Sequence, residues 1–395
     1  SIIMKMLLIS DNKIFGFGGG CLEEKKYYDG LKKYAKKNNI EFKVISPDEK
    51  ISEKLDLSLK KNKIIDIYVR LKGHSSYIYY NFRINKNKFK NYAPNIVIIG
   101  RSRFGYIAKF YKKINPKCKI ICNMENVEYD YVDGYFANNK SIIKKLYVEW
   151  EKLCVKRDEK MALKYSDAIN FLSLRDKKRT HELYKIKNKK EMILPICLEN
   201  SRELYLKSNV RNIVFVGSLN YESNVRAVIN FIDNVWIKYF NNNTKLNLII
   251  AGSNPTKDIE ERVKRLDNCI IHKNFKTLED IIPKHSLMIA PIEKGAGMKV
   301  KVAETLSMGL PIVASDEALV GYELALENCI NNSIMRANSD NEYVNAINNF
   351  ITLSDKQLND IEVENKKLFD KYYSYNVSRN KIAKLCQYII NSAER

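Results

Sequence analysis

A glycine turn that carries lysines into a helix is well suited to hold a phosphate, and residues 291–315 contain one. The stretch reads Gly295-Ala296-Gly297-Met298-Lys299, with Lys301 and Glu304 just beyond. A strand is expected to end at Pro291, and a helix to run from about Met298 to Met308. Glycines let the backbone approach a ligand closely, and the free N–H groups and positive end of a helix suit an anion. Lys299 and Lys301 add full positive charge beside that end. Glu304, about one turn deeper, is placed to accept hydrogen bonds from the vicinal hydroxyls of a ribose. Phosphate followed by ribose describes a nucleotide site. The Gly-x-Gly pattern alone favours an ordinary helix start with solvated Lys and Glu, because a short glycine pattern is a weak signal.

The elements that must position this turn alternate along the chain. Strands are expected at Met4–Ser10, Glu41–Ile45, Ile64–Val69, Asn95–Ile99, Lys119–Asn123 and Asp167–Leu172, with helical segments between most of them. The order restarts with strands at Ile213–Gly217, Leu246–Gly252, Cys269–His272, Leu287–Pro291 and Pro311–Ser315, and with a helix over Asn224–Tyr239. Continuous apolar strands without alternation are buried on both faces, as in parallel sheets. Strands alternating with helices argue for two doubly wound α/β lobes, with ligands beyond the carboxyl ends of the strands in a central cleft. The expected boundaries are 1–200, 201–375 and a final helix at 376–395 that packs back on the first lobe.

Composition narrows the classes. At 395 residues the chain is too long for one core, and 45% hydrophobic residues with 15 Gly and 8 Pro exclude disordered or collagen-like sequence. The longest apolar runs are strand-sized, and no charged segment followed by a long apolar one opens the chain. Eight scattered Cys and four His without metal spacing (His74, His181, His272, His285) point to a reduced, metal-free, cytoplasmic protein. The net charge is +22, and residues 1–200 hold 43 Lys and Arg against 23 Asp and Glu. The excess therefore lies in the first lobe. It suits either an anionic partner or a Lys-rich composition. Lys86, Lys88 and Lys90 precede Arg101-Ser102-Arg103 and a helix through Lys113 in which aromatic and basic residues interleave. That face is expected to lie on the inner surface of the plasma membrane, or else to be an ordinary basic helix packed by its aromatics.

In order and spacing, several segments together resemble the nucleotide-sugar glycosyltransferases of the GT-B fold, in particular glycosyltransferase family 4 (group 1). The turn at Gly295–Lys301, Glu304, the Gly309-Leu310-Pro311-Ile312-Val313-Ala314 turn and Val320-Gly321-Tyr322-Glu323 resemble the donor site. Val214 to Asn224, with Gly217, Ser218 and Asn220, resembles the opening of the donor lobe, and Ile249 to Gly252 the strand that follows. Asn274-Phe275 matches a base-contacting loop. Gly18-Gly19-Gly20 matches the glycine-rich loop after the first strand, on the acceptor side. The resemblance implies two Rossmann-like lobes and a UDP-, GDP- or dTDP-sugar donor bound through Gly217, Asn220, Phe275, Gly295, Ala296, Gly297, Met298, Lys299, Lys301 and Glu304. It implies no metal and no other cofactor, because positive residues and a helix end neutralise the leaving diphosphate.

Departures from the family pattern fall at chemically telling places. The first acid of the Glu-x7-Glu element is replaced by Ala296, and the usual Gly-Arg by Gly217-Ser218, for which Lys299 and Lys301 are the expected compensation. Where the family often has His-Asn, this chain has Glu125-Asn126. Glu125, its pKa raised by partial burial, is either a general base for an acceptor hydroxyl or a loop-capping residue. Glu128 and Asp130 are fallback bases, and Glu128–Asn139 reads as an acceptor-binding flap. The expected function is transfer of a hexose to a glycan or lipid-diphosphate-linked saccharide in bacterial surface-polysaccharide (capsule) assembly. A sugar-nucleotide epimerase of the same fold and a basic nucleic-acid-binding protein are the rivals. Few His count against the first, and the ordered phosphate turn against the second.

Overall fold

The computed structural model describes residues 3–136 and 141–393. The chain forms two compact units, residues 1–196 with 378–395, and residues 197–377. The first holds a sheet of β1 (Lys5–Ile9), β2 (Glu41–Ile45), β3 (Ile96–Ile99), β4 (Lys119–Met124), β5 (Ala168–Phe171) and β6 (Lys190–Ile193). Their order is β2-β1-β3-β4-β5-β6, every neighbour parallel. Ile9 pairs with Ile45 on one side and Ile99 on the other, which sets β1 at the point where the strand order reverses. The second sheet is made of β7 (Arg211–Val216), β8 (Leu246–Ala251), β9 (Cys269–His272), β10 (Leu287–Ala290), β11 (Ile312–Ala314) and β12 (Ile334–Arg336). It is also wholly parallel, ordered β12-β11-β10-β7-β8-β9, so its reversal lies between β7 and β10.

The central strands behave as their composition dictates. β3, β5 and β10 are buried at every position, as strands covered by helices on both faces must be. Two short edge strands, β6 and β12, escape a reading by periodicity because their residues are partly exposed and mixed in polarity. The expected strand at Ile64–Val69 is instead a helix, Lys63–Leu71, capped by Asn62 Oδ1, which accepts from Ile65 N at 2.9 Å. Ile65 and Val69 face the core four residues apart, a helical spacing that a six-residue apolar run does not distinguish from a strand. The expected helix at Asn224–Tyr239 is an α-helix over Glu222–Phe231 that continues with π-helical hydrogen bonding through Phe240. Residues 128–136 of the expected flap form a helix, Glu128–Phe136, and positions 137–139 lie outside the described residues.

The last helix, Tyr375–Ala393, contributes to the first unit from Ser378 onward. Arg379 donates to both carboxylate oxygens of Asp29 at 2.7 and 3.0 Å, and Lys381 Nζ donates to Ile193 O at 2.8 Å. Elsewhere in this unit, helix Gly105–Ile114 crosses helix Ile142–Tyr165 at Gly105. A Cβ there would lie 2.2 Å from Asp158 O and 2.4 Å from Ala162 N, both backbone atoms of the partner helix. Gly105→Ala is therefore expected to destabilise the first unit by about 3 kcal/mol or more through forced separation of the helices. Chemical unfolding checks this, and an unchanged midpoint contradicts it.

Candidate functional site

In the second unit, the loops leaving β7 and β10 flank the strand-order reversal, where open α/β sheets bind ligands. Helix Val300–Met308 starts there, its N-cap Lys299 in extended backbone conformation and Gly297 at φ 67° just before it. Lys301 lies in the first turn of the helix and spans the reversal. Its Nζ donates to Asn224 Oδ1 at 2.9 Å and sits 4.4 Å from the centre of the Phe215 ring. Asn224 in turn donates from Nδ2 to Ser218 O at 3.0 Å. Gly217 makes this approach feasible. A Cβ there would be 2.8 Å from Asn224 Nδ2 and 3.1 Å from Lys301 Nζ. Its own N–H is already given to Ala251 O, so its contribution is space rather than a donor.

Lys301 is 9% exposed. Burial, and then the neighbouring charge of Lys299, bring its pKa down to about 7, with Glu304 opposing. An incoming anion would restore the charge that burial suppresses. Lys299 behaves differently from expectation. Its Nζ folds back onto its own loop, donating to Ala296 O (3.3 Å), Gly297 O (3.0 Å) and Glu317 Oε1 (3.2 Å), so it braces the turn and its charge is met by Glu317. Tyr322, fully buried, donates from Oη to Lys299 O at 2.6 Å and accepts from Ala303 N at 3.3 Å. Ser223 Oγ donates to Lys294 O and holds the other side of the loop. Met298 packs under the turn against Gly321.

Glu304 is half-buried, and burial raises its pKa against the opposing charges of Arg202 and Lys301. Arg202 is docked on the same helix by its N–H to Ser307 O at 2.8 Å. Asn220 is exposed on the turn after β7, and Phe275 is half-buried after β9, three strands from β10. Among the described residues no hydrogen bond joins either to the Lys301 cluster. The sequence assigns no individual role to Asn224, Tyr322 or Arg202. The first two lie within the resembling segments, and Arg202 lies in a stretch without period.

In the first unit, Gly18 has φ 101° and caps helix Gly19–Lys37, so Gly19 and Gly20 are the first helical turn rather than the end of a loop. Glu125 follows β4 and comes over this turn. A Cβ on Gly20 would lie 3.8 Å from Glu125 Oε2. Glu125 is 6% exposed and its Oε1 has no hydrogen-bond partner. Burial, and then the charge of Glu24, push its pKa well above the carboxylate range despite Arg101. Glu24, whose Oε2 accepts from Ser10 Oγ, is itself pushed up to about 8 by burial and then by Asp11.

Glu128 is the opposite case. Burial works against its charge, but Arg101 and Arg103 outweigh it and hold the pKa at about 2, with donors at 2.7–3.1 Å. Asp130 is paired with Arg179 at 2.8 and 3.1 Å. Glu128 is therefore a poor acceptor of a proton, because two guanidinium groups stabilise its charge, and Asp130 is engaged by Arg179.

Residues 101–113 take the second of their two expected readings, a helix packed by its own aromatics. Arg101 pairs with Asp11 and Glu128, Arg103 with Glu128 and Glu151, and Tyr106, Ile107 and Tyr111 are core residues. Lys86, Lys88 and Lys90 are exposed, and Lys86 Nζ lies 5.6 Å from the centre of the half-buried Phe110 ring. Among the described residues no group of three or more His, Cys, Asp or Glu is arranged to hold a metal ion.

Residues 210–352 match the family model described as glycosyl transferases, group 1. A 44.6 kDa protein of the cps region of Klebsiella pneumoniae, itself uncharacterised, is 22% identical over 240 residues, which cover 55% of this chain and 56% of that protein. The crystal structure of a glycosyltransferase from Rickettsia africae superposes with a TM-score of 0.65 at 15% identity, covering 99% of each chain. Anabaena HepE, solved in complex with UDP-glucose, gives 0.63 at 10% identity over 98% of this chain and all of its own. The GT-B fold expected from the sequence is the fold observed, with two parallel six-stranded α/β units.

Proposed function

We propose that this GT-B chain, which matches the group 1 glycosyltransferase family across residues 210–352, transfers a sugar from a nucleotide-diphosphate sugar to a glycan or lipid-linked saccharide. The observation that carries this reading is Lys301, held at the strand-order reversal by Asn224 and Phe215 beside the braced Gly295–Lys299 turn. A diphosphate accepted there meets the N-terminus of helix Val300–Met308 and one ammonium group that burial leaves poorly solvated. Such preorganised charge stabilises negative charge as it develops on a leaving nucleoside diphosphate. Lys301 and the helix end can do this without a divalent cation. Glu304 is placed to accept from ribose hydroxyls. Glu125 takes the proton of the acceptor hydroxyl.

The UDP-glucose complex of Anabaena HepE supports a uridine donor, and the cps-region relative supports a role in surface-polysaccharide assembly. Calorimetric titration with UDP, GDP and dTDP tests the donor site directly. One of the three is expected to bind saturably, and its hexose conjugate to be turned over with a saccharide acceptor and no added metal. Absence of binding by all three rejects the assignment.

A further inference from the structure

A cleft in the second unit has no part in the sugar-transfer reading. It holds about 410 Å³, the size of a small-molecule site, and is lined by the residues that follow β10, β11 and β12 at their carboxyl ends. No residue from Gly295 to Glu304 lines it, so it is distinct from the donor turn. Its floor is apolar and buried, made by Phe231, Val235, Ala337 and Tyr343, with the Phe231 and Tyr343 rings edge to face at 6.3 Å. Val235 belongs to the π-helical stretch Ile232–Phe240, which Phe231 immediately precedes. Such turns are rare in helices and recur at functional sites.

The rim identifies the occupant. Glu293, Asp316, Glu317 and Asp340 line it, and among the described residues no Lys, Arg or His does. Arg336 meets the charge of Asp316 at 2.8 and 3.0 Å, and Lys299 that of Glu317 at 3.2 Å. Glu293 and Asp340, both exposed, enter no ion pair among the described residues. Ionised carboxylates only accept hydrogen bonds, so the occupant must bring donors, and an anion would be repelled. A bare metal ion would leave the apolar floor uncovered, and among the described residues no group of acids is arranged to hold one. A small ammonium compound satisfies both surfaces, with its charge at the rim and an apolar or aromatic body on the floor. Glu317 ties the cleft to the donor turn, because it lines the one and accepts from Lys299 of the other. An ammonium group at the rim competes for that carboxylate, and Lys299 loses a partner that meets its charge.

We propose that the cleft binds a small amphipathic amine, and that the bound amine draws Glu317 from Lys299 and makes the Lys299 charge available to the diphosphate. The amine site stands on the cleft alone, whereas its effect on the donor rests on the donor site proposed above. Such coupling is reciprocal, so a bound diphosphate tightens amine binding by the same factor.

Phenethylamine is the probe, titrated calorimetrically into the full chain beside its uncharged and anionic counterparts, phenethyl alcohol and hydrocinnamate. The amine is expected to bind saturably and about tenfold or more tighter than the alcohol, and the carboxylate not to bind. Glu293→Gln and Glu317→Gln should each weaken the amine about tenfold, whereas Lys299→Met, which removes the competitor for Glu317, should strengthen it about tenfold. Unchanged thermal melts confirm that these variants fold. None of these titrations needs a nucleotide. With UDP, GDP or dTDP added, saturating amine should tighten the diphosphate that binds about tenfold in the parent and leave Lys299→Met unmoved. No saturable amine binding, equal binding of amine and alcohol, an amine affinity indifferent to Lys299→Met, or a diphosphate affinity indifferent to the amine overturns the proposal. Failure of all three diphosphates to bind, with the amine titrations as expected, overturns the donor assignment and not the amine site.

Discussion

Lys301→Met is expected to lower kcat/KM for sugar transfer by roughly 10² to 10³, the cost of removing one preorganised donor from a developing negative charge. The variant keeps the packing on Phe215 and removes the ammonium group, so folding should be preserved. The wild-type protein carries a second signature. Burial, then Lys299, set the Lys301 pKa at about 7, so above pH 7 the empty site is mostly neutral. A bound diphosphate favours the charged form and raises that pKa. Binding therefore takes up a proton above pH 7. Affinity is flat below about pH 7 and weakens by up to tenfold per pH unit above it, until the pKa of the bound state is reached. Calorimetry in two buffers of different ionisation enthalpy measures the uptake. Lys301→Met should abolish both the uptake and the pH dependence, whereas a variant that binds and turns over donor like the parent removes the basis of the donor site.

The contrast between Lys301 and Lys299 shows what was legible in the sequence and what was not. The glycine turn, its helix and both α/β repeats could be read from glycine spacing and uninterrupted apolar strands, because those features express backbone requirements. Which lysine is available was not legible. That depends on Glu317, eighteen residues away, and on two loop carbonyls that capture Lys299. The same limit explains residues 101–113. Interleaved basic and aromatic types suggested a surface, but Glu128 and Glu151 turn Arg103 inward. Helix Lys63–Leu71 was misread as a strand because its inward residues, Ile65 and Val69, are separated by polar and apolar residues alike. The outward Ile64 and Ile67, which prolonged the apolar run, belong to the second, exposed face.

Glu125→Gln is the other substitution with a large expected effect, a fall in kcat of roughly 10² to 10⁴ if this carboxylate is the general base. A buried carboxylate oxygen without a hydrogen-bond partner is costly to maintain. Removing the ionisable group should therefore leave the thermal midpoint of the first unit unchanged or raised, while transfer is lost. A residue that merely capped a loop would show the reverse. The pH profile separates the roles further. Because burial and Glu24 raise the Glu125 pKa, the base form appears only as pH rises through an elevated value, and activity should climb with it. Glu24→Gln removes the acid with which Glu125 titrates, so no negative charge forming there can hold the Glu125 pKa up, and the acid limb of the profile should move to lower pH without abolishing turnover. An acid limb that stays in place in Glu24→Gln, or a Glu125→Gln protein with parental kcat, excludes Glu125 as the base. Either result would return the proton-transfer step to the leaving diphosphate held by Lys301.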